Sequence, residues 1–280
     1  YFHLLFSLHE MTGQENVIIS GGAALNCVAN GMVLEKTSFL DIFVPPVPDD
    51  SGGAMGAAYY LYNHIMEEKR GPAMSSNYLG PEFSNEEVVE FLNKSGVPFV
   101  QLEDPAKGAA EMISDGKIIG WFQGRLEYGD RALGGRSILA DPRDPDMKRK
   151  VNATIKYRED FRPFAPSIHI ESIEEYFENA VLTPFMEKAS RIRPEKHKII
   201  PAVTHVDGTG RLQTVSKDQN SLYWNLINEF KKITGVPIVL NTSFNLKGEP
   251  IVCSPKDAIR TFFTSGLDGL FLGNCLVKKK

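Results

Sequence analysis

The apolar positions of the first 70 residues alternate between helical spacing and short continuous runs. Residues 1–11 have apolar side chains at helical spacing and predict a helix that Gly13 ends. The apolar run 17–19 predicts a strand, and 27–32 reads as a helix that follows a Gly-Gly turn. A further helix is predicted over 59–68. This alternation of strands and helices indicates an α/β unit.

A change of composition to GPAMSSNYLGP at residues 71–81 predicts a linker, because Gly, Pro and Ser replace the periodic apolar residues. After it, Ser84 followed by acidic residues predicts the N-terminus of an amphipathic helix that reaches Leu92. A second helix is predicted over 105–114 and a buried strand over 117–122. We expect further strands at 167–170, at the start of 200–211 and at 236–240. The second unit is therefore predicted to be mixed α/β.

Composition fits an ordinary globular protein of 280 residues, with 42% hydrophobic and 24% charged residues. The formal net charge of −4 argues against general nucleic-acid binding, although it leaves room for a local basic groove. The three cysteines form no CxxC pair, so neither a zinc site nor a disulfide framework is signalled and a cytoplasmic location is expected. No run of about 18 apolar residues indicates a membrane span. Because the chain opens on Tyr1, we expect it to be part of a longer protein.

The stretch GRLEYGDRALGGRSILADPR at residues 124–143 is rich in Gly and Arg and follows the buried strand at 117–122. Glycine lets backbone N–H groups approach a ligand, and the guanidinium fork of arginine matches phosphate or carboxylate. The stretch therefore predicts an anion site that includes Arg125, Arg131 and Arg136. The alternative is a basic surface loop, with Arg136 bound to Asp141.

Three later segments also collect polar residues. Lys156, Arg158 and Arg162 stand in a basic turn before the strand at 167–170. A strand and turn within 200–211 are predicted to present a polar tip. A fully apolar strand at 236–240 is followed by NTSFNLKGEP, and polar residues at the end of a buried strand face the crevice where ligands bind in α/β folds. The alternatives are a capped turn for the last cluster and a structural histidine for the tip. These two segments contribute His205, Asp207, Arg211, Asn241, Ser243 and Asn245.

Two segments of the first unit also suggest ligand contacts. Gly21 and Gly22, with Asn26 close behind, place a tight turn between a strand and a helix, where a nucleotide can meet backbone N–H groups. Asp49 and Asp50 stand at a Pro-rich entry to a helix of small residues. The alternatives are a glycine turn required by sterics and an aspartate that caps the helix.

The sequence as a whole resembles the O-carbamoyltransferase family of antibiotic and nodulation-factor biosynthesis, of the NodU/CmcH type. The resembling segments occur in the order of that family and span nearly all of the chain: GGAALNCVANG, DDSGGAMGAA, GRLEYGDRALGGRSILADPR, YREDFRPFAPS, IPAVTHVDGTGRLQTV, TGVPIVLNTSFNLKGEPIVCSP and DAIRTFFTSGLDGLFLG. The resemblance implies a fragment of an actin-like (ASKHA) transfer domain at 1–72, a linker at 73–83 and a YrdC-like mixed α/β domain at 84–280.

In that family the YrdC-like domain makes carbamoyl-adenylate from carbamoyl phosphate and ATP, and the actin-like domain transfers the carbamoyl group to a substrate hydroxyl. The resemblance thus implies ATP with Mg²⁺, carbamoyl phosphate, a small-molecule hydroxyl acceptor such as a sugar or antibiotic, and a plausible homodimer. It assigns catalytic roles to Lys156, Arg162, Arg131 and Arg211. Nucleotide or carbamoyl-phosphate binding is assigned to Arg158, Ser243, Asn245, Asn241, Arg125, Arg136, His205, Gly21, Gly22 and Asn26.

The resemblance also implies a divalent transition metal of the iron type in the transfer domain. Asp50, with Gly52 and Gly56, best fits the spacing of the metal-binding aspartate, and Asp49 is the near alternative. The partner histidines of the family lie N-terminal to the region present here, so this chain is expected to hold such a metal weakly or not at all. Two alternatives remain. One is a YrdC-like nucleotide- or RNA-binding module without catalysis of its own, and the other is a ligand-binding remnant or regulatory domain whose chemistry is lost through truncation.

Overall fold

A computed structural model describes residues 1–72, 74–159, 161–179 and 181–279 of the chain. Ala73, which belongs to the predicted linker, lies outside the described residues. So does Asp160, which stands in the basic turn at 156–166, and so does Lys280, the last residue of the predicted second domain.

The smaller unit contains a two-stranded parallel sheet with short helices around it. Its core joins Leu5, Val17, Val33, Phe39 and Ile42, which are buried side chains of the helices, strands and loops of this unit. In chain order its helices and strands are α1 (Phe2–Thr12), β1 (Asn16–Ile18), α2 (Cys27–Gly31), α3 (Val33–Lys36), β2 (Asp41–Phe43) and α4 (Gly52–Tyr60). A 3₁₀ turn at Gly22–Leu25 precedes α2, and a π-helical turn at Leu61–Ile65 follows α4.

The larger unit is mixed α/β, as predicted. Its first half contains α5 (Asn85–Lys94), β3 (Val100–Gln101), α6 (Pro105–Ser114), β4 (Ile119–Phe122), β5 (Arg136–Ala140), α7 (Met147–Val151) and β6 (Ala165–His169). Its second half contains α8 (Ile173–Tyr176), β7 (Ala189–Arg191), β8 (Thr209–Arg211), β9 (Gln213–Val215), α9 (Ser221–Thr234), β10 (Ile238–Ser243), α10 (Pro255–Phe263), β11 (Gly269–Leu272) and β12 (Cys275–Lys278).

Among the described residues, eight strands form one mixed sheet in the order β3-β12-β11-β4-β5-β10-β6-β9. The pairs β4/β11 and β6/β9 are parallel and the others are antiparallel. The central strands β4 and β5 are buried along their whole length. Helices α6 and α9 bury apolar faces that include Ile113, Leu226 and Phe230, and these faces belong to the same core as the sheet. Strand β10 therefore lies inside the sheet, where it pairs with β5 on one side and with β6 on the other.

Most elements predicted from the pattern are present. The helix at 105–114 coincides with α6, and Ser84 and Glu87 form the capping box expected at the start of α5. Gly13 ends α1 in the left-handed conformation with a φ of 61°. Within 236–243 the prediction stopped the strand too early, because β10 continues through Ser243. The polar residues Asn241, Thr242 and Ser243 thus belong to the strand, and pairing with β5 fixes the direction of their side chains.

Two predicted elements are wrong in position or type. The helix expected at 59–68 begins earlier, because α4 starts at Gly52 and its small residues continue the helix. The strand expected at the start of 200–211 is a 3₁₀ turn at Pro201–Val203 instead. Proline has no N–H to give to a strand ladder, and its fixed φ suits the first position of a helical turn. The strand that this segment contains is β8, which lies at the C-terminal end of the segment.

The predicted linker lies against the larger unit in its described part. Asn77 is buried and its Nδ2 donates to the carbonyl of Tyr128 at 3.1 Å, while the Tyr78 hydroxyl donates to the carbonyl of Leu133 at 2.7 Å. The smaller unit also contacts the larger one, because Nδ2 of Asn30 donates to the carbonyl of Glu187 at 2.9 Å. In the described part of the chain, no helix has both the length and the apolar character needed to cross a membrane.

Candidate functional site

A cavity of about 360 Å³ opens where the two units meet at the end of β10. Its walls come from α2, from the loops before β5, β6 and β7, from the turn before β8, and from strands β6, β8 and β10. The sequence-predicted residues that line it are Arg131, Arg158, Arg162, His205, Arg211, Asn241 and Ser243. Side chains predicted from four distant segments therefore converge on one cavity.

The loop that carries Arg131 is held by the buried carboxylate of Glu127. Oε1 of Glu127 accepts hydrogen bonds from the backbone N–H groups of Leu133 and Gly135, each at 2.7 Å. Gly134 adopts a φ of 107°, and a Cβ there would lie 2.3 Å from the ring of Tyr223, so this position requires glycine. Glu127 thus holds the loop together from its buried side. Arg131 belongs to the part of the loop that lines the cavity.

Arg158 and Arg162 follow the π-helical turn at Asn152–Lys156. That turn ends at Tyr157, which takes the left-handed conformation with a φ of 45° and redirects the chain. Nε of Arg158 donates to Oδ1 of Asn152 at 2.7 Å, and its guanidinium lies 4.7 Å from the ring centroid of Phe164. These contacts orient Arg158 toward the cavity, while the Arg162 side chain is exposed at its edge.

Arg211 joins the two units. Its Nε donates to the carbonyl of Met186 at 3.1 Å, and its Nη2 donates to the carbonyl of Leu25 in the smaller unit at 3.3 Å. Cys27 and Val28, at the start of α2, line the same cavity. The smaller unit is therefore part of the wall, and it is attached there through Arg211.

A buried amide network supports the cavity wall formed by β10. Nδ2 of Asn241 lies 3.1 Å from the carbonyl of Ala132, 3.1 Å from Oγ of Ser167 and 2.9 Å from Oε1 of Gln213. Nε2 of Gln213 donates in turn to the carbonyl of Leu133 at 2.8 Å. The network ties β10 and β9 to the loop that carries Arg131, so these walls are fixed relative to each other.

Lys156 lies behind the wall that Ser243 forms. Its Nζ donates to the carbonyl of Ser243 at 2.6 Å and to Oδ1 of Asn245 at 2.8 Å, with Oγ of Ser243 at 3.2 Å and the carbonyl of Asn245 at 3.1 Å. Oγ of Ser243 also donates to Oδ1 of Asn245 at 2.7 Å. Lys156 thus holds Ser243 and Asn245 together.

The electrostatics of the cavity favour an anionic ligand. Burial and the charge of Arg211 lower the pKa of Arg131, and burial and the charge of Arg162 lower the pKa of Arg158. Among the described residues, none of the four cavity arginines forms a salt bridge with a carboxylate. Asp130 also lines the cavity and opposes this effect at Arg131. Cations that are brought together without paired carboxylates repel one another, and a bound phosphate relieves that repulsion.

Burial, with a smaller contribution from Arg158, lowers the pKa of Lys156 to about 7. Desolvation penalises the charged ammonium, whereas the four surrounding oxygen atoms stabilise it. The lysine behind the wall of the cavity therefore changes its charge near neutral pH.

The structure places the other predicted residues outside this cavity. Arg125 is exposed and pairs with Glu82 at 3.5 Å. Arg136 is fully buried, and its Nη1 donates to the carbonyls of Gln123 at 2.9 Å and Gly135 at 3.0 Å. It does not cap through Asp141, since that carboxylate pairs with Arg143 at 2.6 Å. Arg136 therefore acts as a structural residue that closes the base of the loop.

In the smaller unit, Gly21, Gly22 and Asn26 are exposed and lie before Cys27 without lining the cavity. The Asn26 side chain caps α2 by accepting from the N–H of Ala29 at 3.1 Å. Asp50 is exposed where α4 begins, and Asp49 accepts from the N–H of Ser51 at 3.1 Å. Within the described ranges, no group of three or more His, Cys, Asp or Glu side chains could hold a metal ion. The residues present do not fit the implied iron-type site.

Sequence reasoning missed the cavity residues Cys27 and Val28, and it missed the supports Glu127 and Gln213. Cys27 and Val28 carry no anion-binding signal, and only the meeting of the two units brings them to the site. Glu127 was visible as one of the two acidic residues, with Asp130, among the glycines and arginines of its loop, where a carboxylate can accept hydrogen bonds from turned N–H groups.

Comparisons with known proteins match two family models to two parts of the chain. The family model described as "Carbamoyltransferase C-terminus" matches residues 110–279, and the one described as "Carbamoyltransferase N-terminus" matches residues 3–59. Nodulation protein NolNO of Sinorhizobium fredii is 46% identical over 285 residues, which cover 100% of this chain and 42% of that protein. Nodulation protein NolO of Bradyrhizobium diazoefficiens is 47% identical over 285 residues, covering 100% of this chain and 52% of that protein.

The chain spans about half the length of these curated relatives. Among solved structures, full-length HypF in a phosphate- and nucleotide-bound form aligns with a TM-score of 0.43 and 18% identity over 65% of this chain and 23% of that one. The C-terminal family model alone covers more than half of the sequence. The chain therefore belongs to the carbamoyltransferase family.

Proposed function

We propose that the larger unit, residues 84–280, forms carbamoyl-adenylate from carbamoyl phosphate and ATP. The complete protein then passes the carbamoyl group to a hydroxyl of a small molecule, such as a sugar, an antibiotic or a nodulation factor. Family membership supports carbamoyl transfer, and the names of the nodulation relatives support an acceptor of that kind. The cavity at the end of β10 supports the first of the two reactions.

The observation that carries this proposal is the convergence of Arg131, Arg158, Arg162 and Arg211 on one cavity of about 360 Å³. Two polyanionic reactants repel each other in water, and a set of fixed guanidinium groups can hold both in one place. The same groups stabilise the charge that develops on phosphoryl oxygens during transfer. Mg²⁺ would enter with ATP as part of that substrate.

Written with its atoms balanced, the reaction converts carbamoyl phosphate, ATP and water into carbamoyl-adenylate, phosphate and pyrophosphate. The acceptor hydroxyl then attacks the carbamoyl carbon, the bond to AMP breaks, and the hydroxyl proton is released. Arginines around the phosphates stabilise the leaving groups of the first reaction. The second reaction needs the smaller unit and the parts of the protein that supply the acceptor site.

The structure favours one role for the four cavity arginines and another for Lys156, Ser243 and Asn245. The four arginines face the cavity and can contact phosphates directly. The donor atoms of Ser243 and Asn245 are used inside the protein, since Ser243 bonds to Asn245 and Nδ2 of Asn245 donates to the carbonyl of Glu249 at 2.6 Å. Direct nucleotide contacts from Ser243 and Asn245 require these bonds to be exchanged. We therefore propose that Lys156, Ser243 and Asn245 maintain the shape of the cavity wall.

The test is to incubate the protein with carbamoyl phosphate and ATP and to separate the nucleotides by chromatography, while phosphate and pyrophosphate are measured. Arg162→Ala is expected to lower adenylate formation at least about a hundredfold, because it removes a charged contact made by the reacting groups. Arg125→Ala is the matched control, since Arg125 is an exposed arginine outside the cavity. Both variants should unfold at the temperature of the wild type.

Full activity of Arg162→Ala would contradict the assignment of this cavity. Binding of ATP without release of pyrophosphate would support the alternative of a nucleotide- or RNA-binding module without catalysis. The expected homodimer, the cytoplasmic location and the weak metal binding of the smaller unit stay predictions.

A further inference from the structure

Most polar groups around the cavity are hydrogen-bond donors, but two of the residues that line it, His205 and Asn241, each carry an acceptor atom without a donor. Nε2 of His205 and Oδ1 of Asn241 are buried, and among the described residues neither has a hydrogen-bond partner. The carboxylate of Asp130 also lines the cavity, but that residue is exposed and water can solvate it. A buried acceptor without a donor costs free energy. These two atoms therefore call for a ligand that carries N–H groups as well as anionic oxygens.

The hydrogen bonds around His205 determine which ring nitrogen carries the proton. Nδ1 of His205 lies 3.1 Å from Oγ1 of Thr209, and the hydroxyl of Thr209 donates its one proton to Oδ1 of Asp207 at 2.7 Å. Oγ1 can therefore only accept from Nδ1–H of the imidazole. Burial and the charges of Arg211 and Lys148 lower the pKa of His205 although Asp207 opposes them, so the neutral form of the ring is favoured. Its Nε2 consequently carries no proton and can accept a hydrogen bond through its lone pair.

The orientation of the Asn241 amide is fixed by the same logic. Its Nδ2 faces three oxygen atoms, which belong to Ala132, Ser167 and Gln213. The hydroxyl of Ser167 donates to Oε1 of Gln213, and Nε2 of Gln213 donates to a carbonyl, so the donors of this network are already assigned. A flipped amide would place Oδ1 against acceptors. Oδ1 of Asn241 is thus a second acceptor that awaits a donor.

We propose that Nε2 of His205 accepts a hydrogen bond from the amino group of carbamoyl phosphate and selects this substrate over acyl phosphates that lack N–H, an inference that rests on the function proposed above. The proposed substrates carry amino groups in two places, on the carbamoyl group and on adenine. The carbamoyl group is bonded directly to its phosphate, whereas ribose separates adenine from the phosphates of ATP. His205 lines the same cavity as Arg211, which can contact a phosphate, so the amino group nearest to a phosphate fits best.

The test compares the affinities of carbamoyl phosphate and acetyl phosphate, measured by calorimetry. Acetyl phosphate replaces the amino group by a methyl group of similar size. The wild type should bind carbamoyl phosphate at least about tenfold more tightly, because acetyl phosphate leaves Nε2 without a donor. His205→Leu should reduce this preference about tenfold, whereas His205→Gln, which can place an amide oxygen near the Nε2 position, should retain most of it.

His197→Leu is the matched control. His197 is half-buried beside Gly208 of the same turn, but it lies outside the cavity and its Nε2 lies 2.9 Å from the carbonyl of Ile192. The preference for carbamoyl phosphate should be unchanged in this variant. An unchanged preference in a folded His205→Leu would overturn the inference, whereas a wild type that binds neither acyl phosphate would contradict the proposed function itself.

A second measurement leaves His205 in place. Thr209→Val removes the hydroxyl that fixes the tautomer, while Thr209→Ser keeps it. Nitrogen-15 NMR of the His205 ring should show protonated Nδ1 in the wild type and in Thr209→Ser, and a mixture of tautomers in Thr209→Val. The preference for carbamoyl phosphate should fall only in Thr209→Val. Should His205→Leu instead lose discrimination between ATP and the analogue without the adenine amino group, His205 would contact adenine and the inference would be wrong.

Discussion

Lys156 combines two properties at the scale of one residue. Its Nζ lies within 3.2 Å of four oxygen atoms of Ser243 and Asn245, and its pKa is lowered to about 7. Because the folded-state pKa lies below the ordinary value, the ammonium is present below about pH 7 and is lost as the pH rises through that value. The wall of the anion cavity therefore loses one positive charge close to physiological pH.

We predict that the affinity for sulfate falls at least about threefold between pH 6 and pH 8, because Lys156 loses its charge near the anion. Sulfate is the probe because it keeps its double charge over this range, and its binding can be followed by calorimetry. In Lys156→Met the affinity should be lower at pH 6 and flat over the same interval. Lys247→Met, at an exposed lysine just beyond Asn245, should keep the wild-type profile. A slope that persists in Lys156→Met would assign the titration to another group.

At the scale of elements, the loop between β4 and β5 depends on one carboxylate. Burial raises the pKa of Glu127, while the N–H groups of Leu133 and Gly135 lower it by stabilising the charged form. Oε1 replaces the water that these two N–H groups would otherwise bind. The position of Arg131 therefore follows from a side chain that itself lies outside the cavity.

We predict that Glu127→Leu lowers the free energy of unfolding by about 2 kcal/mol or more, because it leaves two buried N–H groups without an acceptor. It should also weaken sulfate binding, since Arg131 loses its support. Glu127→Gln keeps an acceptor oxygen, so both losses should be smaller. Urea denaturation gives the stability, and Glu82→Leu, at an exposed glutamate, is the control. Equal stability of Glu127→Leu and the wild type would contradict this account.

The sequence predicted elements well where a local signal determined them. The capping box of α5 and the span of α6 depend on neighbours along the chain, and both are confirmed. The convergence of Arg131, Arg158 and Arg211 was expected only from the family resemblance, since spacing along the chain does not specify which loops meet. Arg136 shows the limit, because an arginine of the same loop becomes a buried structural residue through contacts made only in the folded chain.

At the scale of the whole molecule, the smaller unit touches the larger one through close backbone packing. A methyl group added at Gly31, on α2, would lie 2.1 Å from the carbonyl oxygen of Ala189 on β7. By contrast, a methyl group added at Gly53, on α4, would meet no atom within 4 Å. The two glycines thus offer the same substitution at a packed and at an open position of one unit.

We predict that Gly31→Ala lowers the free energy of unfolding by about 1–3 kcal/mol, because α2 and β7 must separate. Sulfate binding should weaken with it, since α2 carries Cys27 and Val28 into the cavity wall. Gly53→Ala should raise the stability by about 0.5–1 kcal/mol, because alanine restricts the unfolded chain more than glycine does and meets no atom in the folded one. Thermal unfolding and calorimetry check both. Sulfate affinity that is unchanged in Gly31→Ala would show that the wall does not depend on this contact.

The bond from Nη2 of Arg211 to the carbonyl of Leu25 has a thermodynamic consequence. Arg211 lines the cavity and attaches the smaller unit at the same time, so an anion that contacts its guanidinium acts on both. Coupling between two equilibria is reciprocal. By whatever factor such an anion changes the association of the two units, that association changes the affinity for the anion by the same factor. Occupancy of the cavity is therefore coupled through Arg211 to the contact between the two units.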